Sequence, residues 1–168
     1  MSSRTAAEVE PHIPALRRYA YALTRDAAAA DDLVQDTLER ALGRWFLRRP
    51  DGDLRAWMFT ILHNLYIGGK RRDRRRGAMD ELNDQDAPTL PDQDGALLRR
   101  DIVSGLRSLS EEQRAVLLLV GVEGLSYENA GTVLGIPLGT VMSRLSRARE
   151  NLRRLLDGER VPALRRVK

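Results

Sequence analysis

Three groups of side chains in this 168-residue chain have types and spacing that could do chemistry. Asp31, Asp32 and Asp36 are oxygen donors that could be imagined around a hard cation. At about 100° per helical residue, however, Asp31 points well away from Asp32. No glycine-rich phosphate loop, nucleophile–base pair or second acidic cluster accompanies them, so neither an enzyme nor a small-molecule substrate is expected. Asp32, Gln35, Asp36 and Glu39 instead share one helical face at i, i+3, i+4 and i+7, which suits either solvent or a basic protein partner. The second group is Lys70-Arg-Arg-Asp-Arg-Arg-Arg76, with six positive charges in seven residues. Such a run is either a solvated helix end or a holder of nucleic-acid phosphates. In the third, Val141, Leu145, Ala148 and Leu152 form an apolar stripe. This leaves Gly139, Ser143, Ser146, Arg147 and Glu150 on the opposite face, flanked by Arg144 and Arg149. Small residues let a helix approach a major groove closely, hydroxyls bond either base type, and arginine pairs with guanine O6 and N7.

The elements that must carry these groups are all helical. Nothing alternates with period two over a strand's length, and every periodic segment has the helical period. A helix from about Ile13 to Leu23 supplies Leu16, Tyr19, Ala20 and Leu23. Asp26 is an N-cap candidate for the next, with Ala30, Leu33, Val34, Thr37, Ala41, Leu42 and Trp45 on one stripe. Asp53 caps a third, where Leu54, Trp57, Met58, Ile61, Leu62 and Leu65 repeat at helical spacing; the stripe assigns Trp57 to core packing first and to contact with an opened duplex second. Further along, a helix is expected from Ala96 to about Leu106. Ser110 and Gln113 form a capping box ahead of a helix that Gly124 ends. Ser126 caps a short helix over Tyr127–Leu134. Gly135 suits its left-handed C-terminal position, and Pro137 opens a last helix to about Leu156. A short helix, a glycine-bearing turn and a longer helix make a helix-turn-helix.

Charge divides the chain in three. Residues 1–76 carry 15 bases and 10 acids, residues 77–95 six acids and no base, and residues 96–168 13 bases and 8 acids. The acidic strip holds Pro88, Pro91, Gly77 and Gly95, few apolar residues and no helical period, which marks it as a linker. The expected organisation is therefore two small all-α domains, 10–76 and 96–158, joined by a flexible acidic linker over 77–95. The absence of Cys excludes disulfides and thiolate metal sites, and with His12 and His63 as the two histidines a His-rich metal centre is not expected either. No cofactor is expected. The longest apolar stretch falls far short of the ~20 residues of a membrane span, and a cytoplasmic protein without membrane insertion is expected. Of the 28 basic residues, Lys70 and Lys168 are the lysines. Arginine suits bidentate phosphate and guanine contacts, although a GC-rich genome produces the same bias.

Leu125-Ser-Tyr-Glu128, Leu134-Gly-Ile-Pro137 and Gly139-Thr-Val-Met-Ser-Arg-Leu-Ser-Arg-Ala-Arg149 resemble region 4 of the extracytoplasmic-function (group IV) sigma factors. Asp31-Asp-Leu-Val-Gln-Asp-Thr37 resembles their region 2.2, and Leu54-Arg-Ala-Trp-Met-Phe-Thr-Ile-Leu-His-Asn64 with the arginine run resembles regions 2.3 and 2.4. The likeness extends from about Ile13 to Leu156 in the family's order. It implies a promoter-recognition subunit of bacterial RNA polymerase that has no catalytic activity of its own. By the same resemblance, Asp32, Gln35, Asp36 and Glu39 dock on the β′ clamp helices, and region 4 meets the β flap. Asp53 (with the Pro50–Asp53 loop), Asn64, Lys70, Arg71, Arg72, Arg74, Arg75 and Arg76 would bind the −10 element. Gly139, Thr140, Ser143, Arg144, Ser146, Arg147 and Arg149 would bind the −35 element. An anti-sigma factor is an expected partner by family habit. Two positions depart from the family pattern: Met142 stands where a base is common, and Gly131 where alanine is usual. The alternatives are a stand-alone helix-turn-helix regulator, or a sigma-like decoy that binds an anti-sigma factor. A decoy would need neither the basic run nor the polar recognition face.

Overall fold

The computed structural model describes residues 3–77 and 105–158, and among these every element is helical. Most of the expected linker, the start of the helix expected from Ala96 and the basic tail beyond Gly158 lie outside the described residues.

The first module contains α1 (Ser3–Val9), α2 (Ile13–Thr24), α3 (Ala27–Gly43) and α4 (Leu54–Arg75). Helix α1 was not apparent from periodicity, yet it places Val9 in the core at 4% exposure. The cap residues anticipated from the sequence work as caps. Asp26 accepts the Ala29 amide at 2.7 Å, and Asp53 accepts the Ala56 amide at 3.0 Å. Each satisfies an otherwise orphaned N–H and contributes about 1 kcal/mol. Leu16, Tyr19, Ala20 and Leu23 are buried on α2, and Ala30, Val34, Thr37 and Ala41 on α3. Thr37 is tolerated there because its hydroxyl donates to the Leu33 carbonyl at 2.7 Å. Trp45 lies beyond the end of α3, in a tight turn over Trp45–Leu47, and meets Trp57 edge-on at 6.2 Å. Trp57 is accordingly only half-buried.

Helix α4 runs a further ten residues past the expected apolar stripe and takes the basic run into its last turns. Tertiary contacts hold this extension: the Tyr66 hydroxyl donates to the Leu23 carbonyl at 3.1 Å, and Lys70 pairs with Glu111.

The second module comprises the helical end at 105–108, α5 (Glu111–Leu117), α6 (Tyr127–Leu134) and α7 (Leu138–Gly158). Ser110 and Ser126 cap α5 and α6 through the amides of Gln113 and Asn129. The Gln113 side chain turns to α7, its Oε1 accepting from Asn151 at 3.2 Å. After Leu117 the chain widens into a π turn over Leu118–Val122, closed by the Glu123 amide on the Leu118 carbonyl at 2.8 Å. Gly135 takes the left-handed conformation (φ 64°) that ends α6.

The buried apolar cluster is continuous across the two modules, from Leu16, Tyr19, Phe59 and Leu62 to Val116, Leu119, Val133, Val141 and Leu145. Helix α6 packs along α4, and α5 packs against α2.

Candidate nucleic-acid and polymerase interfaces

Helix α7 presents the expected two-faced arrangement. Val141, Leu145 and Ala148 are at most 2% exposed, while Gly139, Ser143, Ser146, Arg147 and Arg149 face solvent. Its entry angle depends on Gly131. A Cβ there would meet the Ile136 carbonyl oxygen at 3.0 Å and Val141 Cγ2 at 3.5 Å, so glycine permits the close crossing of α6 and α7. Thr140 is half-buried, and Arg144 pairs with Glu112 at 3.0 Å rather than standing free. Met142, on the same outer side, is 52% exposed. The result is a ridge of small and hydroxyl side chains carrying a free guanidinium, with no carboxylate before Glu150. That surface can enter a major groove and bond base edges.

On α4, Asn64 is exposed and Arg71, Arg72, Arg74, Arg75 and Arg76 project into solvent along the last turns. Lys70 is separated from them by its ion pair with Glu111. Burial works against its charge, but the hydrogen bond to Glu111 and the neighbouring Tyr66 and Glu111 charges outweigh it and raise its pKa. Asp53 is committed twice, to the Ala56 amide and to Asn129 Nδ2 at 2.8 Å. The expected −10 set is therefore split: five arginines and Asn64 are open, whereas Asp53 and Lys70 are engaged by the second module.

Asp32, Gln35, Asp36 and Glu39 lie exposed on α3 as one face, with Gln35 Nε2 donating to Glu39 at 3.2 Å. Asp31 is paired separately with Arg17 at 2.8 Å. No group of three or more His, Asp or Glu among the described residues could hold a metal ion.

A polar seam between the modules has no counterpart in any local sequence pattern. Glu123, whose side chain is 1% exposed, accepts from Arg18 Nε at 3.1 Å, Arg18 Nη2 at 2.9 Å and Arg55 Nη2 at 2.7 Å. Arg114 donates Nε to the Leu106 carbonyl and Nη2 to the Leu109 carbonyl, each at 2.9 Å, and Nη1 to the Ala22 carbonyl of α2 at 3.5 Å. Arg25 reaches back to the Arg107 carbonyl at 2.9 Å. Within the first module the Tyr19 hydroxyl meets His63 Nδ1 at 3.1 Å. Burial lowers the His63 pKa, an effect partly offset by the Glu111 charge, and raises that of Tyr19. No local pattern could have revealed this seam, because the partners that meet across the modules lie 41 to 105 residues apart.

Comparison with known proteins gives two family matches. The family model for the sigma2 domain of PhyR covers residues 9–63, and that for sigma-70 region 4 covers residues 99–152. The chain is 40% identical over 147 residues to the ECF RNA polymerase sigma factor EcfG of Rhodopseudomonas palustris, spanning 86% of this chain and 80% of that protein. It is 39% identical over 155 residues to the ECF RNA polymerase sigma factor SigL of Mycobacterium tuberculosis, spanning 88% and 86%. Among solved structures, the sigma factor RpoE from Bartonella quintana, in complex with the anti-sigma factor NepR, superposes with a TM-score of 0.80 at 36% identity. That match covers 95% of this chain and 100% of RpoE.

Proposed function

This chain belongs to the family of ECF RNA polymerase sigma factors, and from that premise we propose how its surfaces divide the work of promoter recognition. As a sigma factor it directs transcription initiation within holoenzyme. The outer face of α7, with Ser143, Ser146 and Arg147 on base edges and Arg149 on phosphate, reads the −35 element. Asn64 on α4, with an amide that can both donate and accept, reads an unpaired base of the −10 element, and the arginines from Arg71 to Arg76 hold the melted strand by its phosphates. The Asp32, Gln35, Asp36 and Glu39 face of α3 docks on the β′ clamp helices of core polymerase, and the second module meets the β flap.

The observation that supports this division most is the geometry of α7. Its three inward residues are almost fully buried, and its outward residues from Gly139 to Arg149 are, apart from Met142, small, hydroxylated or basic in the order that groove entry requires. The protein has no catalytic activity of its own, acts in the cytoplasm beside polymerase, and is held in reserve by an anti-sigma factor. Among the described residues no helix is long and apolar enough to cross a membrane.

The test is affinity capture with purified core polymerase, followed by promoter binding with and without core. Stoichiometric capture and core-dependent, strongly salt-sensitive binding support the reading. Specific binding without core would make the chain a stand-alone regulator, and capture by an anti-sigma factor with no promoter engagement would make it a decoy.

A further inference from the structure

The −10 and −35 readers of this chain sit in one compact body. A compact chain of this length has a diameter of about 40 Å, whereas elements some 25 base pairs apart lie about 85 Å apart along B-form DNA. The two modules therefore cannot both engage a promoter while α6 is packed on α4. Whatever holds that contact closed also holds the protein off the promoter.

We propose that Glu123 is an autoinhibitory interdomain latch: gripped by Arg18 and Arg55, its carboxylate locks the second module over the flank of the −10-reading helix, and the grip must break before both modules reach promoter DNA. The proposal rests on the division of surfaces given above.

The geometry distinguishes a latch from ordinary packing. Glu123 belongs to the second module, yet every side chain that binds its carboxylate comes from the first. Its burial thus exists only in the closed arrangement. Charge-assisted bonds of this kind fix one geometry, because a shift of the interface strands a buried charge. The apolar contacts around them would tolerate sliding.

The latch is also built to release. Arg55 Nε is buried with no hydrogen-bond partner, so the closed form carries an unsatisfied donor that opening would hydrate. Arg18 is 57% exposed, leaving the grip open to solvent and competing anions from one side. Asp53 with Asn129 and Lys70 with Glu111 tie the same two modules and engage two residues of the −10 set. The structure that superposes on this chain over 95% of its length, with a TM-score of 0.80, is that of a relative in complex with its anti-sigma factor. An inhibitor that prefers the closed form would draw on the latch as part of its own affinity, by linkage.

The chain's lack of cysteine makes the test direct. Spin labels at Ala28→Cys on α3 and Arg153→Cys on α7, both exposed positions, report the distance between modules in the full-length free protein by pulsed dipolar spectroscopy. Wild type should give one short distance. Glu123→Gln should raise the long-distance population relative to the short one at least tenfold. Arg18→Gln, in the other module, should do the same without touching the π turn that carries Glu123, which keeps the test decisive if Glu123→Gln perturbs the second module. Unchanged distance distributions in Arg18→Gln, or in a Glu123→Gln protein with wild-type helical signal, would overturn the latch. Because the readout uses neither polymerase nor DNA, the latch can fail while promoter recognition stands, and the reverse.

Discussion

Asp53 offers the cleanest separation of local from interdomain energetics, because its two carboxylate oxygens do different things. Oδ1 accepts the Ala56 amide at 3.0 Å and caps α4, while Oδ2 accepts from Asn129 Nδ2 at 2.8 Å and ties α4 to the second module. Asp53→Ala removes a cap of about 1 kcal/mol and the favourable placement of a negative charge at a helix N-terminus, about 0.5 kcal/mol. It also removes an exposed charged hydrogen bond worth about 0.5 kcal/mol after solvent screening. The expected loss is about 2 kcal/mol. Asp53→Ser keeps a capping oxygen and should lose about 1 kcal/mol. Asn129→Ala removes only the tie and should lose about 0.5 kcal/mol. Combining Asp53→Ala with Asn129→Ala should recover that last amount as a coupling energy, since the tie can be broken only once. Urea unfolding of the four variants at one pH and salt concentration measures this directly. If Asp53→Ser is as damaging as Asp53→Ala, capping is not the main role. If the double variant is strictly additive, the tie contributes nothing in solution.

Three further outcomes follow from the same surfaces. Arg147→Ala should cost about 1–3 kcal/mol of discrimination at a single −35 position in promoter competition assays, and an equal loss on every sequence would reassign Arg147 to phosphate. Asp36→Arg reverses charge in an exposed face whose neighbours are acidic, so it should sharply weaken capture of core polymerase while leaving the thermal melt within about 0.5 kcal/mol of wild type; unaltered capture would refute the docking face. His63 is half-buried with its pKa held below 6.5 by desolvation, so the stability gained from its neutral form is complete above pH 6.5 and is lost as pH falls below that through the lower folded value. Unfolding midpoints measured between pH 7.5 and pH 5 should fall less steeply for His63→Gln than for wild type, with His12, lowered in the same direction, supplying part of the remaining slope; equal slopes would contradict the assignment.

What could be read from the chain beforehand was whatever local chemistry decides. Asp26, Asp53, Ser110 and Ser126 each announce a helix start because a short side-chain oxygen satisfies an amide three residues on, and all four do so. The two-faced pattern of α7 was legible for a related reason, since a helix buries one stripe and the remainder follows from its period. The apolar stripe of α4 ends at Leu65 because Gly68, Gly69 and the arginines carry none; Tyr66 and Lys70 extend the helix through contacts with α2 and α5. Trp45 fitted the stripe of α3 by spacing, but the chain has already turned after Gly43. Spacing places Arg144 beside the polar face of α7, and its partner Glu112 lies on another helix, beyond the reach of any local pattern. The grip of Arg18 and Arg55 on Glu123 joins residues 105 and 68 positions apart, and only the folded chain brings them together.

The central claim is that this chain confers promoter choice on a polymerase that lacks it. Run-off transcription with purified core enzyme, on a library of templates differing at the −35 and −10 positions, measures that directly. One start site on a restricted subset of templates is expected, lost with core alone and narrowed or broadened by changes at Arg147 and Asn64. Unselective initiation across the library at every salt concentration, with the chain bound to core, would contradict it.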